Sequence, residues 1–329
     1  MAVPATNNLT IYVLNVGQAD SAIIISPRGN IIIVDAVRPS KLINLLQQIG
    51  PPINDEIEEL VITHPHRDHF SGANRLLNTY QVKSATLSPF WNQYGMGPPT
   101  YRAILNNMEQ RRTDIDFVSG YNRIYPDGAV VNGPDNFVHD EDAFYIEFLG
   151  PSNNLLGQLE RAQKLDTNHL SILTRVHWQR FSMILAADAQ MENWSYFDQE
   201  GMLREDCDVL KSAHHGSCNG TQWERLDRLD PRCVIISSDP ERGHSLPDLV
   251  GAAIFSKYES DNNNKVVALT SETHSIRITV PNGNTFAIEH FDDVSDGNVD
   301  LTNPHTLTRQ NNQSNWRQLL ETRSRNLYH

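Results

Sequence analysis

The chain has 329 residues and carries 27 Lys+Arg against 40 Asp+Glu, a formal net charge of −13, which argues against a protein that grips nucleic acid through a broad basic face. The same balance leaves room for a nuclease, because bound cations can supply positive charge where a phosphate sits. With 39% hydrophobic and 20% charged residues, wholesale disorder is excluded, and the length suits one large α/β domain or two smaller ones.

The first ten residues hold no basic stretch followed by an apolar one, so no secretory signal is expected. Residues 9–15 read as a strand. The apolar runs 22–26 and 30–35 flank the turn Pro27-Arg28-Gly29-Asn30, the pattern of a hairpin. The apolar run Ile31-Ile32-Ile33-Val34 falls far short of the roughly 20 residues that cross a bilayer, and no membrane segment is expected. Residues 41–49 place Leu42, Leu45, Leu46 and Ile49 at helical spacing and stop at Gly50-Pro51-Pro52. A short buried strand over 59–63 runs straight into His64. A helix follows over 70–77 and a strand over 82–87. From 88 to 136 the pattern loosens around Pro89, Gly95, Gly97, Pro98 and Pro99, with a helix only over 101–112, and this stretch is expected to be an insertion or lid.

Regular structure resumes with a strand over 143–149 and a short helix over 155–165. Residues 170–177 and 180–186 pair as a second hairpin. Then come a helix over 191–200, a strand over 209–213, a helix over 222–229, a strand over 233–237 and a helix over 247–258. Strands over 266–270, 275–280 and 285–290 close the pattern. Residues 291–329 form a polar, flexible tail with a short helix near 316–320. The order suggests two sheets packed between helical layers. The cysteines are Cys207, Cys218 and Cys233, an odd number without Cys-x-x-Cys spacing, so a reducing cytoplasm is the expected home.

The sharpest feature is Thr63-His64-Pro65-His66-Arg67-Asp68-His69. Three imidazoles and a carboxylate follow an apolar strand, where a loop can aim alternate side chains into one pocket. Such ligands suit zinc, manganese or iron and suffice for two ions. A histidine-rich solvated loop would explain one histidine, but hardly four ligand-type residues at this spacing. Gly216-Ser217-Cys218-Asn219-Gly220 has the composition of a backbone nest, whose amides can receive an oxyanion.

The His64–His69 segment resembles the HxHxDH signature of the metallo-β-lactamase fold, which implies a four-layer αββα sandwich. The resemblance makes Asp35 the aspartate that orients the histidine motif and Asp188, in Leu185-Ala186-Ala187-Asp188-Ala189, the aspartate that bridges two metals. It matches His214-His215-Gly216-Ser217 to a His-His-Gly-Ser element. Within that superfamily, Asn15-Val16-Gly17-Gln18-Ala19-Asp20-Ser21 is similar to the Val-Gly-Gln-Gly-Asp-Ser opening of the soluble ComEC-like hydrolase domain and its stand-alone relatives. The hydrolase-like domain is expected over residues 1–290.

The resemblance implies two divalent ions, with zinc favoured and manganese or iron open. His64, His66 and His169 would hold the first, Asp68, His69 and His214 the second, and Asp188 both. Asp68 would orient a metal-bound hydroxide and His215 protonate the leaving oxygen. Asn168 and Ser171 fit the ComEC-like subgroup at positions where the broad family has a histidine, while Lys211 and Ser217 are candidates to support the ligands or touch the substrate, and His244 to contact a metal or a substrate phosphate. The expected activity is hydrolysis of a nucleic acid or a nucleotide-derived phosphodiester. Two alternatives stay open: a hydrolase of carbon esters, thioesters or lactams, with Phe90, Trp91, Tyr94 and Tyr101 shaping its pocket, and a metal-stabilised protein that binds a partner protein from its operon.

Overall fold

The computed structural model describes residues 7–50, 55–128, 131–132, 137–138, 143–203, 207–241, 245–261, 264–283, 285–294, 298–309, 312 and 314–325. Its strands, in chain order, begin with β1 (Asn8–Val13), β2 (Ala22–Ile25), β3 (Ile31–Val34), β4 (Glu56–Ile62), β5 (Gln81–Leu87), β6 (Asp114–Phe117), β7 (Tyr121–Ile124), β8 (Val131–Asn132) and β9 (Phe137–Val138). They continue with β10 (Phe144–Leu149), β11 (Leu173–Trp178), β12 (Phe181–Leu185), β13 (Val209–Lys211), β14 (Cys233–Ile236), β15 (Val266–Leu269), β16 (Ser275–Pro281), β17 (Ala287–Phe291) and β18 (His305–Thr306). One nine-stranded sheet runs β18-β17-β16-β1-β2-β3-β4-β5-β6, one seven-stranded sheet runs β15-β14-β13-β12-β11-β10-β7, and β8 pairs with β9 alone.

Each sheet is antiparallel in one part and parallel in the other, over β3 to β6 and β12 to β15. The strands β2, β3, β14 and β15 read as unbroken apolar runs because both faces are covered. In β3, Ile31 and Ile33 face a core shared with helices, while Ile32 and Val34 face the core between the sheets. On the outer face of the larger sheet lie α1 (Pro39–Ile49), α2 (Arg67–Phe70), α3 (Ala73–Thr79) and α4 (Pro99–Gln110). Leu42 and Leu46 of α1, Leu76 of α3 and Met108 of α4 are fully buried against it. The helix α5 (Asn153–Arg161) packs Leu156 with Phe90 and Leu170, and behind the smaller sheet lie α6 (Met191–Gln199), α7 (Trp223–Leu229) and α8 (Leu249–Asp261), followed in sequence by α9 (Thr270–Thr273) and α10 (Trp316–Arg325). Trp194, Phe197, Leu226, Phe255, Trp316 and Leu319 fill that outer core. The expected α/β architecture of two sheets between helical layers is the one observed.

Two expectations about organisation change. The stretch 88–136, expected to be an insertion or lid, supplies α4 to an outer layer, β6 to the larger sheet and β7 to the smaller. The tail beyond residue 290 contributes β18 to the larger sheet and α10 to an outer core. The helix expected over 70–77 is divided into α2 and α3 at Ser71-Gly72. Gly72 donates its N–H to Ala36 O at 2.7 Å, and a Cβ there would lie 2.8 Å from that oxygen, so only glycine admits this approach. Among the described residues no helix is long and apolar enough to cross a membrane.

Candidate metal centre

The ligand-type side chains sit just past the C-terminal ends of strands from both sheets, where a ligand crevice forms in α/β architectures. Because β3 and β4 run parallel, with Val34 opposite Val61, Asp35 and Thr63 emerge side by side. Asp35 Oδ1 accepts the Thr63 N–H at 2.9 Å, and Asp35 Oδ2 accepts from His69 Nδ1 at 2.6 Å. That bond places the His69 proton on Nδ1 and turns Nε2 toward Asp188 Oδ1, 3.3 Å away. Asp188 follows β12. His215 follows β13 and donates Nδ1–H to Ser237 O, past β14, at 2.8 Å.

The His215 Nε2 atom then lies 3.5 Å from Asp68 Oδ2 and 3.5 Å from Asp188 Oδ1. Among the described residues, His69 Nε2, His215 Nε2 and Asp188 Oδ1 are buried without a hydrogen-bond partner. A tetrahedral shell with bonds of about 2.0–2.2 Å spaces its ligand atoms ~3.4 Å apart. Asp68, His69, Asp188 and His215 therefore fit one divalent ion. His64, His66 and Asp188 form a second group, with His64 Nε2 3.7 Å from Asp188 Oδ2 and 3.1 Å from His66 Nδ1. Asp188 serves both.

The electrostatics of the two groups differ. Burial and the neighbouring His69 push His64 well below the usual imidazole range, so its lone pair is available to a cation. Burial opposes charge on His69 and His215, but nearby carboxylates outweigh it, Asp188 and Asp35 at His69 and Asp188 and Asp68 at His215, and both are raised. Burial likewise opposes charge on Asp68 and Asp188, and the histidines overcome it, so both carboxyls are held below their ordinary range. Protonated histidines thus stand where a cation would compete with their protons.

Several expected residues lie elsewhere. His169 is turned away from both groups: its Nδ1 accepts the Asp166 N–H at 3.1 Å, and its Nε2 lies 3.6 Å from Glu192 Oε2. The signal was in the sequence, because Asp166 three residues before His169 makes a capping box. His214 lies at the rim, 3.9 Å from Asp188 Oδ2, with Nδ1 held by Asn219 Oδ1 at 2.6 Å and Nε2 by Asn168 Nδ2 at 3.2 Å. Ser171 is fully buried, and its hydroxyl has no hydrogen-bond partner among the described residues. Lys211 is turned inward to Asp20 rather than toward a substrate. Ser217 donates to Asp248 Oδ2 at 3.2 Å, and the Cys218 N–H reaches the same oxygen at 2.8 Å, so a carboxylate of the chain already occupies the expected nest. His244 lies outside the described residues. Sequence reasoning missed the Ser237 carbonyl, which as a backbone group leaves no trace in residue type.

Residues 14–152 match the model of the metallo-beta-lactamase superfamily. No curated protein matches the chain. Among solved structures, a mutant of the beta-hydroxylase CmlA superposes with a TM-score of 0.50 at 16% identity, covering 84% of this chain and 54% of that one. CmlA from Streptomyces venezuelae, a diiron beta-hydroxylase, gives 0.47 at 14% identity, covering 83% and 54%. The short form of human tRNase Z gives 0.38 at 13%, covering 79% and 91%. The chain thus spans about half the length of the hydroxylase, and at these identities the likeness is one of fold. The family match over residues 14–152 and the two-sheet fold agree with the metallo-beta-lactamase likeness expected from the sequence.

Proposed function

We propose that the chain is a metal-dependent hydrolase with a dinuclear centre: His64, His66 and Asp188 hold one ion, and Asp68, His69, Asp188 and His215 the other. One observation carries this reading. Three buried ligand atoms, His69 Nε2, His215 Nε2 and Asp188 Oδ1, lack hydrogen-bond partners among the described residues and stand at the spacing a shared cation needs. Divalent ions bound there would supply a water acidified toward pH 7 and an electrophile for charge that develops on the substrate. The chain's residues do the rest. Asp35 and Ser237 fix the tautomers of His69 and His215. Asp68, with its side chain 35% exposed, can orient the attacking water.

His214 is the group placed to move a proton to the leaving oxygen. Its ring is 20% exposed, at the rim of the centre. In its neutral form Nδ1–H donates to Asn219, and Nε2 accepts from the Asn168 amide.

The substrate class we favour is a phosphodiester, in nucleic acid or a nucleotide-derived molecule. Support comes from the ComEC-like residues 15–21 and 214–217 and from ligands for two ions, which can clamp both the attacking and the leaving oxygen. Of the aromatics named for the acyl alternative, Phe90 and Tyr101 are buried in the cores, whereas Trp91 and Tyr94 are half-buried. Metal analysis of the purified chain, followed by a panel of single- and double-stranded DNA, RNA and cyclic nucleotides with Asp188→Ala as control, tests the reading. Two ions per chain and cleavage lost in Asp188→Ala are expected. An intact panel sinks the phosphodiester assignment, and a chain without metal sinks the hydrolase itself.

A further inference from the structure

Beneath the group of Asp68, His69, Asp188 and His215, taken below as the second ion's, lies a buried ion pair that the chemistry above does not use. Lys211, the last residue of β13, and Asp20, on the loop between β1 and β2, are 191 residues apart in sequence. Their side chains are 3% and 9% exposed, and Lys211 Nζ donates to Asp20 Oδ2. Burying two charges costs several kcal/mol per ion before their attraction is counted, so such a pair needs a reason.

Its surroundings supply one. Asp20 Oδ2 lies 3.8 Å from His69 Nδ1, and Asp20 Oδ1 lies 3.8 Å from His215 Nδ1. Both imidazole N–H groups are given to other acceptors, Asp35 at 2.6 Å and the Ser237 carbonyl at 2.8 Å. Asp20 Oδ1 is itself buried with no hydrogen-bond partner among the described residues. Asp20, Asp35, Thr63, Lys211 and Ser237 line one small cavity under the centre. The Asp20 carboxylate therefore stands just short of two N–H donors, and the ammonium holds it there.

Charge gives the arrangement its consequence. Asp35, Asp68 and Asp188 would offset three of the four positive charges that two divalent ions bring. An unpaired Asp20 would add a further negative charge beneath the ions and weaken their pull on an anionic substrate. We propose that Lys211 and Asp20 are positioning residues for the second ion: the ammonium neutralises Asp20 and leaves His215 bound to an uncharged carbonyl, so that the occupied centre is one charge more positive than an unpaired Asp20 would leave it. This rests on the dinuclear reading above.

Stepwise cobalt(II) titration of the full chain, followed by visible absorbance, tests it without reference to turnover. Asp20→Asn leaves an unpaired ammonium near the ion and is expected to weaken the second binding step about tenfold, whereas Lys211→Met leaves an unpaired carboxylate and tightens it by a similar factor. The double variant is neutral and returns within about threefold of wild type, Lys211→Arg keeps the wild-type step, and the first step moves in none of them. A purely structural pair would lower thermal stability in both single variants and leave the steps alone. Single variants that shift together, or not at all, overturn the proposal. Should Lys211→Met not fold, Asp20→Asn decides: an unmoved second step overturns the proposal and a weakened one supports it. A wild-type chain that takes up no cobalt overturns the dinuclear reading and this role with it. A wild type that takes two ions while the variants stay unmoved overturns the ion-pair role alone.

Discussion

His214 and His215 are neighbours of one residue type, and the backbone alone separates their roles. Both are left-handed, at φ 45° and 52°, and are followed by Gly216 at φ 82°. A left-handed histidine costs about 1–2 kcal/mol. The strand β13 ends at Lys211, and this tight reversal turns His215 into the carboxylates while leaving His214 at the rim. Nothing in the pair His-His marks which one turns inward, so the sequence reading put His214 on the second ion and His215 in the acid's place, and the geometry supports the exchange. His64, His66, Asp68 and His69 stood out because ligand-type residues crowd the end of an apolar strand, although Asp68 and His69 sit on the helical turn α2 rather than on the expected loop. His169 misled because a capping box and a ligand position use the same residue type. The assignment predicts that His215→Ala retains one ion per chain. His214→Ala should retain two and lose roughly 10²–10⁴ in kcat, the usual worth of a general acid. His169→Ala should keep both. Elemental analysis beside kcat separates them, and loss of an ion in His214→Ala but not in His215→Ala would reverse the roles.

Elements buried on both faces were readable, and those at the margins were not. β3, β12 and the second half of β4 are largely apolar because helices and a second sheet cover them. β6 and β7 are edge strands with mostly exposed side chains and neither alternation nor an apolar run, so the segment between residues 88 and 136 passes for an insertion. The helix α10 was expected over 316–320 and runs to Arg325, with Trp316 and Leu319 as its buried apolar anchors. Trp316 sits 6.2 Å from the Phe255 ring, Arg323 donates to the carbonyls of Pro247 and Pro240, and Ser314 and Asn312 bond the backbone of edge strand β15. Ending the chain after residue 309 removes these contacts and bares an edge prone to pairing. Burial of the Trp and Leu side chains is worth about 4 kcal/mol together. A Tm lower by on the order of 10 °C is therefore expected, with greater aggregation on heating. An unchanged Tm would show that α10 is dispensable to the outer core.

At the scale of the molecule, the centre joins the two sheets. Asp35 and His69 come from the nine-stranded sheet, Asp188 and His215 from the seven-stranded one. Asp35 at φ 57° and Ala187 at φ 48° add left-handed backbone at the same seam, and such strain persists only where its surroundings hold it. Bound ions would supply that hold, and saturation at 1,000 times Kd stabilises a fold by about 4 kcal/mol. The size of the gap between metal-free and metal-loaded protein depends on pH, and the sign follows from the shifts. His69 and His215 are raised in the folded chain. Their stabilising charge is fully present below about pH 6.5, the unfolded value, and is lost as pH rises through the folded ones. Asp68 and Asp188 are lowered, so they stay ionised across that range and repel one another once the histidines lose their protons. Metal-free protein should therefore lose stability from about pH 6.5 upward, while metal binding strengthens because fewer protons compete for the same nitrogens. Urea denaturation with chelator and with added zinc, at pH 6 and pH 8.5, should show a wider gap at the higher pH, and Asp188→Ala should abolish the gap at both. A gap that narrows with rising pH would mean that the ions bind away from His69 and His215.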